Sequence, residues 1–323
     1  MLTQPAPLAH STATATPPDL EQLAACPVCG GTDFADQLRV PDRSVSQEVF
    51  TIARCAGCGL LFTNPRPDAA HAGRYYESAA YVSHNAGARG LTNRLYKLAR
   101  YFTVRRKVAL LTRLNGGQAG RLLDYGCGTG HFLAGARAAG WRVTGIEPAA
   151  GARADAVARV GQPILEPAAL AKLPPASFDV ITLWHVLEHV HALHDTLSLL
   201  LAALRPNGKL LIAVPNAESL DAQHYREAWA AYDVPRHLYH FVPATMRRLL
   251  AGHGLRVVET RPLPLDAYYV SLLSERRLPA ERASGWLSAV RAGYKSNQYA
   301  AQHGGAYSSL LYVVERAAPG AAA

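Results

Sequence analysis

No stretch of this 323-residue sequence approaches the ~18 consecutive apolar residues that a membrane-spanning helix needs. The N-terminus also lacks Lys and Arg before Arg39, so the basic flank of a secretory signal is missing. Both absences favour a cytoplasmic protein. Aromatic residues make up only 8% of the chain, and no run interleaves them with basic residues as single-stranded nucleic-acid grips do. Acidic residues are outnumbered 24 to 33, a net charge of +9. That excess suits RNA, a membrane surface or an anionic small molecule, and equally a basic solvated surface. What is present is ordinary: 49% apolar residues, in a chain long enough for one large domain with additions.

The most informative run is Leu122 to His131, LLDYGCGTGH. Leu122 and Leu123 read as the end of a buried strand closed by Asp124. Gly126, Gly128 and Gly130 then turn the chain into a helix, and Cys127 sits between them as a small side chain. Glycines at this spacing let the backbone approach a ligand. The helix that follows offers free N–H groups and the positive end of its dipole to an anion. Dinucleotide sites favour G-x-G-x-x-G, whereas here His131 takes the third glycine's place. A strand-end aspartate before G-x-G-x-G resembles the first motif of class I S-adenosylmethionine (SAM) dependent methyltransferases.

Four of the five cysteines form two pairs, Cys26-Pro-Val-Cys29 and Cys55-Ala-Gly-Cys58, each followed by glycine. The interval between pairs leaves room for a hairpin, so the pattern reads as a zinc ribbon. Four thiolates close the tetrahedral shell and leave no position for water, which makes the metal structural. Disulfides conflict with a reducing compartment, and a redox C-x-x-C does not need two copies.

Between ribbon and glycine loop, Leu91, Leu95, Leu98, Phe102, Val108 and Leu111 recur at nearly helical spacing, with Arg94, Lys97, Arg105, Arg106 and Lys107 interspersed. This is either an amphipathic helix lying over the core with a solvated basic face or a lid whose cations receive an anion. Tyr75, Tyr76 and Tyr81 either line a substrate mouth or merely pack.

Beyond the loop, strand and helix patterns alternate as a parallel doubly wound sheet requires. Trp141–Ile146, Phe178–Trp184 and Lys209–Val214 read as strands, with a helix through Leu197–Leu204. Glu147 ends the second strand at the interval where an acid binds a ribose hydroxyl pair. Leu255–Glu259 and Leu310–Val314 supply the last strands. The run F-D-V-I…H-V-L-E-H-V…L-R-P-N-G-K-L-L-I also resembles class I methyltransferases, so the likeness covers Gly120 to Val214 continuously. It implies an α/β, doubly wound, seven-stranded Rossmann-like sheet of order 3-2-1-4-5-7-6, with the final strand antiparallel. SAM is the implied cofactor, its methionine part held by Asp124 and the glycine backbone (Gly126, Cys127, Gly128, Gly130) and its ribose by Glu147.

His185, Glu188 and His189, three and four residues apart, are predicted on one helical face at the carboxyl end of the fourth strand, the edge where open α/β sheets bind ligands. The segment Asp233-Val-Pro-Arg-His237-Leu-Tyr-His240 follows the fifth strand toward the same mouth. This arrangement resembles the ubiquinone-type O-methyltransferases and the small-RNA 2′-O-methyltransferases, in which E-x-x-E-H and a later histidine bind a divalent cation. Glu188 and His189 match that motif, and His240, or else His237, matches the later histidine. His185 replaces the motif's first glutamate, which shifts preference from Mg²⁺ toward Zn²⁺, Mn²⁺ or Fe²⁺. Three roles stand open for the cluster: a second metal site, a metal-free general base, or scaffold. Arg236 either receives an anionic substrate group or pairs with Asp233, and Asn216 sits where it can touch substrate.

The expected organisation is a tail (residues 1–22), the ribbon (23–65), a helical linker or lid (66–117), the SAM-binding domain (118–318) capped by an insert (262–305), and a second tail (319–323). A ribbon ahead of such a domain resembles bacterial enzymes of surface-saccharide and natural-product pathways. The expected activity is methyl transfer to a small-molecule hydroxyl of a sugar, quinone or phenol. The competing classes are an RNA methyltransferase docking through ribbon and basic surface, and a SAM-binding protein without catalysis.

Overall fold

In a computed structural model, residues 19–76, 91–279, 281–282 and 284–318 are described, with backbone alone for 91–99. Tyr81, the basic side chains Arg94 and Lys97, and most of both tails lie outside these residues. The strands are β1 (Leu20–Glu21), β2 (Phe34–Pro41), β3 (Val49–Cys55), β4 (Leu61–Thr63), β5 (Arg66–Pro67), β6 (Arg121–Tyr125), β7 (Arg142–Ile146), β8 (Phe178–Trp184), β9 (Leu204–Pro215), β10 (Tyr239–His240), β11 (Leu255–Pro262) and β12 (Ser309–Arg316). The helices are α1 (Leu91–Leu114), α2 (His131–Ala138), α3 (Ala150–Val160), α4 (Leu193–Ala203), α5 (Leu220–Tyr225), α6 (Pro243–Ala251), α7 (Pro264–Glu275) and α8 (Trp286–Gln302).

The main sheet has six strands in the order β11-β12-β9-β8-β6-β7. β7, β6, β8 and β9 run parallel, and β12 enters antiparallel between β9 and β11. Among the described residues the expectation of seven strands is therefore corrected to six. The missing edge is a single parallel bridge from Leu165 to Ile146. Its segment is pinched between Pro163 and Pro167, which have no N–H to donate to a ladder. The middle strands are buried on both faces, and Leu122, Leu123, Val180, Ile181, Leu183, Leu210, Leu211 and Ile212 are fully enclosed. Continuous apolar runs of this kind mark parallel strands covered on both sides.

α1 closes one face. A Cβ on Gly135 of α2 would lie 2.4 Å from Val104 Cγ1, so the glycine is what lets α1 pack this closely. Val108 and Leu111 of α1 enter the core, while Tyr101 and Phe102 stay exposed. The insert after β11 folds into α7 and α8, whose contact is again set by a glycine: a Cβ on Gly293 would meet Tyr268 at 2.9 Å.

The N-terminal unit is a four-stranded sheet ordered β10-β4-β3-β2. Its outer strand, β10, comes from beyond β9 of the main sheet and pairs Tyr239 with Phe62 and His240 with Leu61. The ribbon is thus sewn to the segment that carries the later histidines. β1 pairs with β5 beside it.

Candidate functional site

At the ribbon tip, Cys26 Sγ lies 3.6 Å from Cys58 Sγ, and Cys29 Sγ 3.5 Å from Cys55 Sγ. All four sulfurs fall within 4.8 Å of one another. A tetrahedron with Zn–S near 2.3 Å has edges of about 3.8 Å, so the four thiols fit a zinc ion as they stand. Gly31 and Gly57 pack against these sulfurs, where a Cβ would sit 3.4–3.8 Å away.

The glycine loop leaves β6 at Asp124 and enters α2. Gly126 and Gly130 both have φ +77°, and their constraint is internal. A Cβ on Gly126 would fall 2.4 Å from Val186 Cγ2, and one on Gly130 2.9 Å from Ala156 Cβ. Gly128, at φ +54°, faces open space. Of the three, it is the one with room beside it. The Cys127 thiol packs with Leu133 and Ile164, so any contribution it makes to the pocket comes from its backbone. No side chain caps the N-terminus of α2, which leaves its amides for an anion.

Glu147 is buried at the end of β7. Its carboxylate accepts from the Gly128 amide at 2.8 Å and the Ala149 amide at 2.9 Å. A carboxylate has about four acceptor positions, so two remain for hydroxyl donors. Asp124 is enclosed beneath the loop and accepts from the Thr182 hydroxyl at 2.6 Å. Burial pushes its carboxyl up to about 7, against the pull of Thr182 and Lys107.

Lys107 escaped individual notice in the sequence, as one of several cations along α1. Its ammonium sits 3.7 Å from the centre of the Trp184 ring. Burial lowers it to about 8 against the fields of Asp124 and Asp266. The nearby Trp184 Nε1 has no hydrogen-bond partner among the described residues.

At the carboxyl end of β8, the expected helical face is replaced by a sharp reversal. His185 has φ +56°, and Leu187–His189 form one 3-10 turn. His185 is clamped, with Nε2 3.1 Å from Asp266 Oδ2 of α7 and Nδ1 3.5 Å from Glu188 Oε1. Burial disfavours its charge, but the Asp266 and Glu188 carboxylates prevail and raise it to about 10. The two carboxylates favour the imidazolium form of His185, which suits it to an anion better than to a general-base role.

Glu188 is 1% exposed, and neither oxygen has a hydrogen-bond partner among the described residues. Burial works to raise it, and the His185 ring with the neighbouring histidines holds it below the ordinary range. His189 Nδ1 lies 3.0 Å from the Arg236 carbonyl, and His237 Nδ1 lies 2.8 Å from the Ala231 carbonyl. Both Nδ1 atoms donate to these carbonyls. The two rings stand 4.5 Å apart. Burial and the His189 charge drop His237 to about 4.

Donor atoms of Glu188, His189 and His237 gather within 4.8 Å of one another. The later histidine of the cluster is thus His237. His240, on β10, turns its Nε2 to Thr63 Oγ1 of the ribbon at 3.3 Å and packs edge-on to Tyr232. Burial holds it far below its usual value. Tyr76 reaches the cluster, its hydroxyl 3.1 Å from His189 Nδ1, whereas Tyr75 is core. Arg236 pairs with Asp233 and with Asp42 of the β2–β3 turn, and Asn216 binds the Tyr307 carbonyl, so both are committed inside the protein. No helix among the described residues is long and apolar enough to cross a membrane.

Comparison with known proteins agrees with this architecture. A family model described as a methyltransferase domain matches residues 96–260. A malonyl-[acyl-carrier protein] O-methyltransferase of Serratia marcescens is 35% identical over 195 residues, covering 55% of this chain and 74% of the relative. Among solved structures, a phosphoethanolamine N-methyltransferase of Haemonchus contortus aligns at TM-score 0.50 and 17% identity, over 80% of this chain and 62% of that one. A SAM-dependent methyltransferase of Archaeoglobus fulgidus aligns at TM-score 0.48 and 18% identity, over 74% of this chain and 100% of that one. The chain belongs to the class I SAM-dependent methyltransferases, and it carries a four-cysteine cluster consistent with a zinc ribbon ahead of the catalytic domain.

Proposed function

We propose that this methyltransferase is an O-methyltransferase whose small-molecule acceptor presents its oxygen to His185 and His189. The observation that carries the reading is that His185, ion-paired to Asp266 and Glu188, and His189, whose Nδ1 is held by the Arg236 carbonyl, stand together at the edge of β8. Glu147 holds the ribose hydroxyls of SAM, Gly128 lets the nucleoside approach, and Lys107 with Trp184 Nε1 receives the methionine carboxylate. Bound SAM supplies an electrophilic methyl on a sulfonium.

The protein's work is then alignment, worth up to ~7–11 kcal/mol in well-oriented systems, together with control of one proton. For a hydroxyl acceptor, His189 Nε2 takes the proton as the oxygen attacks, a role typically worth ~10²–10⁴-fold. The His185 imidazolium stabilises the developing oxyanion. For a carboxyl acceptor, the reading favoured by the cationic state of His185 and by the 35% identical O-methylating relative, no proton need move and His185 pairs with the carboxylate directly. The orphaned Glu188 carboxylate with His189 and His237 also fits a divalent cation of the Zn²⁺, Mn²⁺ or Fe²⁺ type. Such an ion would lower the pKa of a bound hydroxyl in place of the base.

The test is to incubate the enzyme with methyl-labelled SAM and fractionated small metabolites. Label released by mild alkali marks a methyl ester, and label that survives marks an ether. Label on nitrogen or carbon refutes the proposal. His189→Ala should spare SAM binding and lower turnover of a hydroxyl acceptor at least ~10²-fold. Equal turnover in that variant returns His189 to a scaffold role.

A further inference from the structure

A groove of about 1170 Å³ runs outside the cofactor pocket, between the ribbon, α5 and α8. Arg54 of β3, Arg226 at the end of α5, and Arg291 and Lys295 of α8 all line it. Each is exposed, and none makes a side-chain hydrogen bond or ion pair among the described residues. The groove contains two acids. Glu218 is exposed, but Asp221 is spent inward, accepting from Trp229 Nε1 at 2.8 Å and from Ser296 and Ser308 at 2.7 Å. Arg226 has φ +50° and ψ −125°, a conformation that costs ~1–3 kcal/mol for a residue with a side chain and collects at functional sites. Between the cations the lining is apolar, with Leu38, Ile52, Leu61, Val242 and Ala292. Tyr232 forms the inner wall and packs its ring 5.3 Å from His240 of β10, three residues after His237.

We propose that this groove binds a pyrophosphate ester, the anionic handle of the acceptor molecule. Four unpaired cations around an apolar trough suit a small molecule with a doubly charged head and a less polar body. The groove is concave and of the order of a small-molecule site, roughly 300–1,000 Å³, where a macromolecular partner would meet a flatter face. Guanidinium groups bind phosphate oxygens in bidentate fashion, and three of the four cations are arginines. The ribbon is then part of the substrate site: Arg54, Cys58 and Gly59 form one wall. Only the link to turnover rests on the acceptor reading above, since binding is independent of it.

The experiment is calorimetry on the full zinc-loaded chain with inorganic pyrophosphate, uridine diphosphate and a prenyl diphosphate as probes. The expected result is binding that weakens with salt and falls at least about tenfold in Arg291→Ala/Lys295→Ala and in Arg54→Glu. SAM affinity should be unchanged in both variants, a control for folding. A uridine diphosphate preference identifies a nucleotide-borne acceptor, and a prenyl preference identifies a lipid-borne one. Both support the proposal. Absence of binding at millimolar probe, or equal affinity in the variants, overturns it. So does capture of an acidic acyl-carrier protein through these cations without any response to the probes. Probe binding with methyl transfer to nitrogen would leave the groove assigned and refute only the O-methyl reading.

Discussion

Arg236 is the perturbation with the sharpest expected outcome. Its side chain is 1% exposed. Nε and Nη2 grip Asp233 at 2.8 and 2.9 Å, Nη2 reaches Asp42 at 3.0 Å, and Nη1 donates to the Tyr75 carbonyl at 2.8 Å. Arg236→Met keeps bulk and removes every one of these bonds. Breaking a buried ion pair from one side typically costs ~3–5 kcal/mol, because the other charge is left uncompensated. The lower figure applies here. Asp42 keeps the Ser44 and Ser46 amides, and Asp233 keeps Arg277 at 3.1 Å. The expected loss is therefore about 3 kcal/mol, or about 6 °C in Tm for a domain of this size, read by urea melts and calorimetry. The pH dependence has a definite sign. Burial would raise both carboxyls, but the Ser46 and Ser44 amides with Arg236 hold Asp42, and Arg236 holds Asp233, below their ordinary values. Their stabilisation is then fully present above the unfolded aspartate pKa of about 4 and is lost as pH falls through the depressed folded values. The gap between native protein and variant should narrow in acid. A loss under about 1 kcal/mol at pH 7, or a gap that widens in acid, refutes the reasoning.

Glu147→Gln preserves shape but removes the charge that draws ribose hydroxyls. SAM affinity by calorimetry should drop at least about tenfold, and an unchanged value removes the ribose assignment. Asp266→Asn takes away the first of the two carboxylates that hold His185 near 10. The imidazolium should then be lost at lower pH, so the alkaline limb of kcat/KM should move down by about one unit or more, and an unmoved limb shows that His185 is not the titrating group. Mass spectrometry of the native protein should find one zinc per chain, and its removal with a strong chelator should lower Tm and turnover together. Four freely titrating thiols in the folded protein would dismiss the metal.

The features legible in the sequence were those whose chemistry is carried by short spacing. Two C-x-x-C knuckles and a G-x-G-x-G turn enforce their geometry locally, and an acid closing the next strand has few places to go. Features decided by distant contacts were less accessible. The His185–His189 run has helical spacing, yet His185 is left-handed and its ring sits between Glu188 and Asp266, and Asp266 belongs to an insert whose fold no periodicity announced. His237 and His240 are equivalent in the sequence. The two-residue strand β10 separates them, committing His240 to Thr63 of the ribbon and leaving His237 to the cluster. Lys107 was one cation among several until the packing of α1 on α2 turned it onto Trp184.

The ribbon has two candidate duties, bracing the lid or recognising substrate, and they are not alternatives. β4 lies between β3 and β10 in one sheet, so the strands tied to the cysteine knuckles also hydrogen-bond the segment bearing His237 and His240. Thr63 adds to that tie by donating to the His237 carbonyl at 2.7 Å. A ribbon used solely to recognise substrate would need no strand shared with the histidine segment, and the same sheet places Arg54 at the groove rim. Because the sheet is continuous, loosening its knuckles would disturb both margins of the site through the same backbone. An intact four-cysteine cluster, the placement of the histidines and the cationic groove therefore follow from one piece of structure.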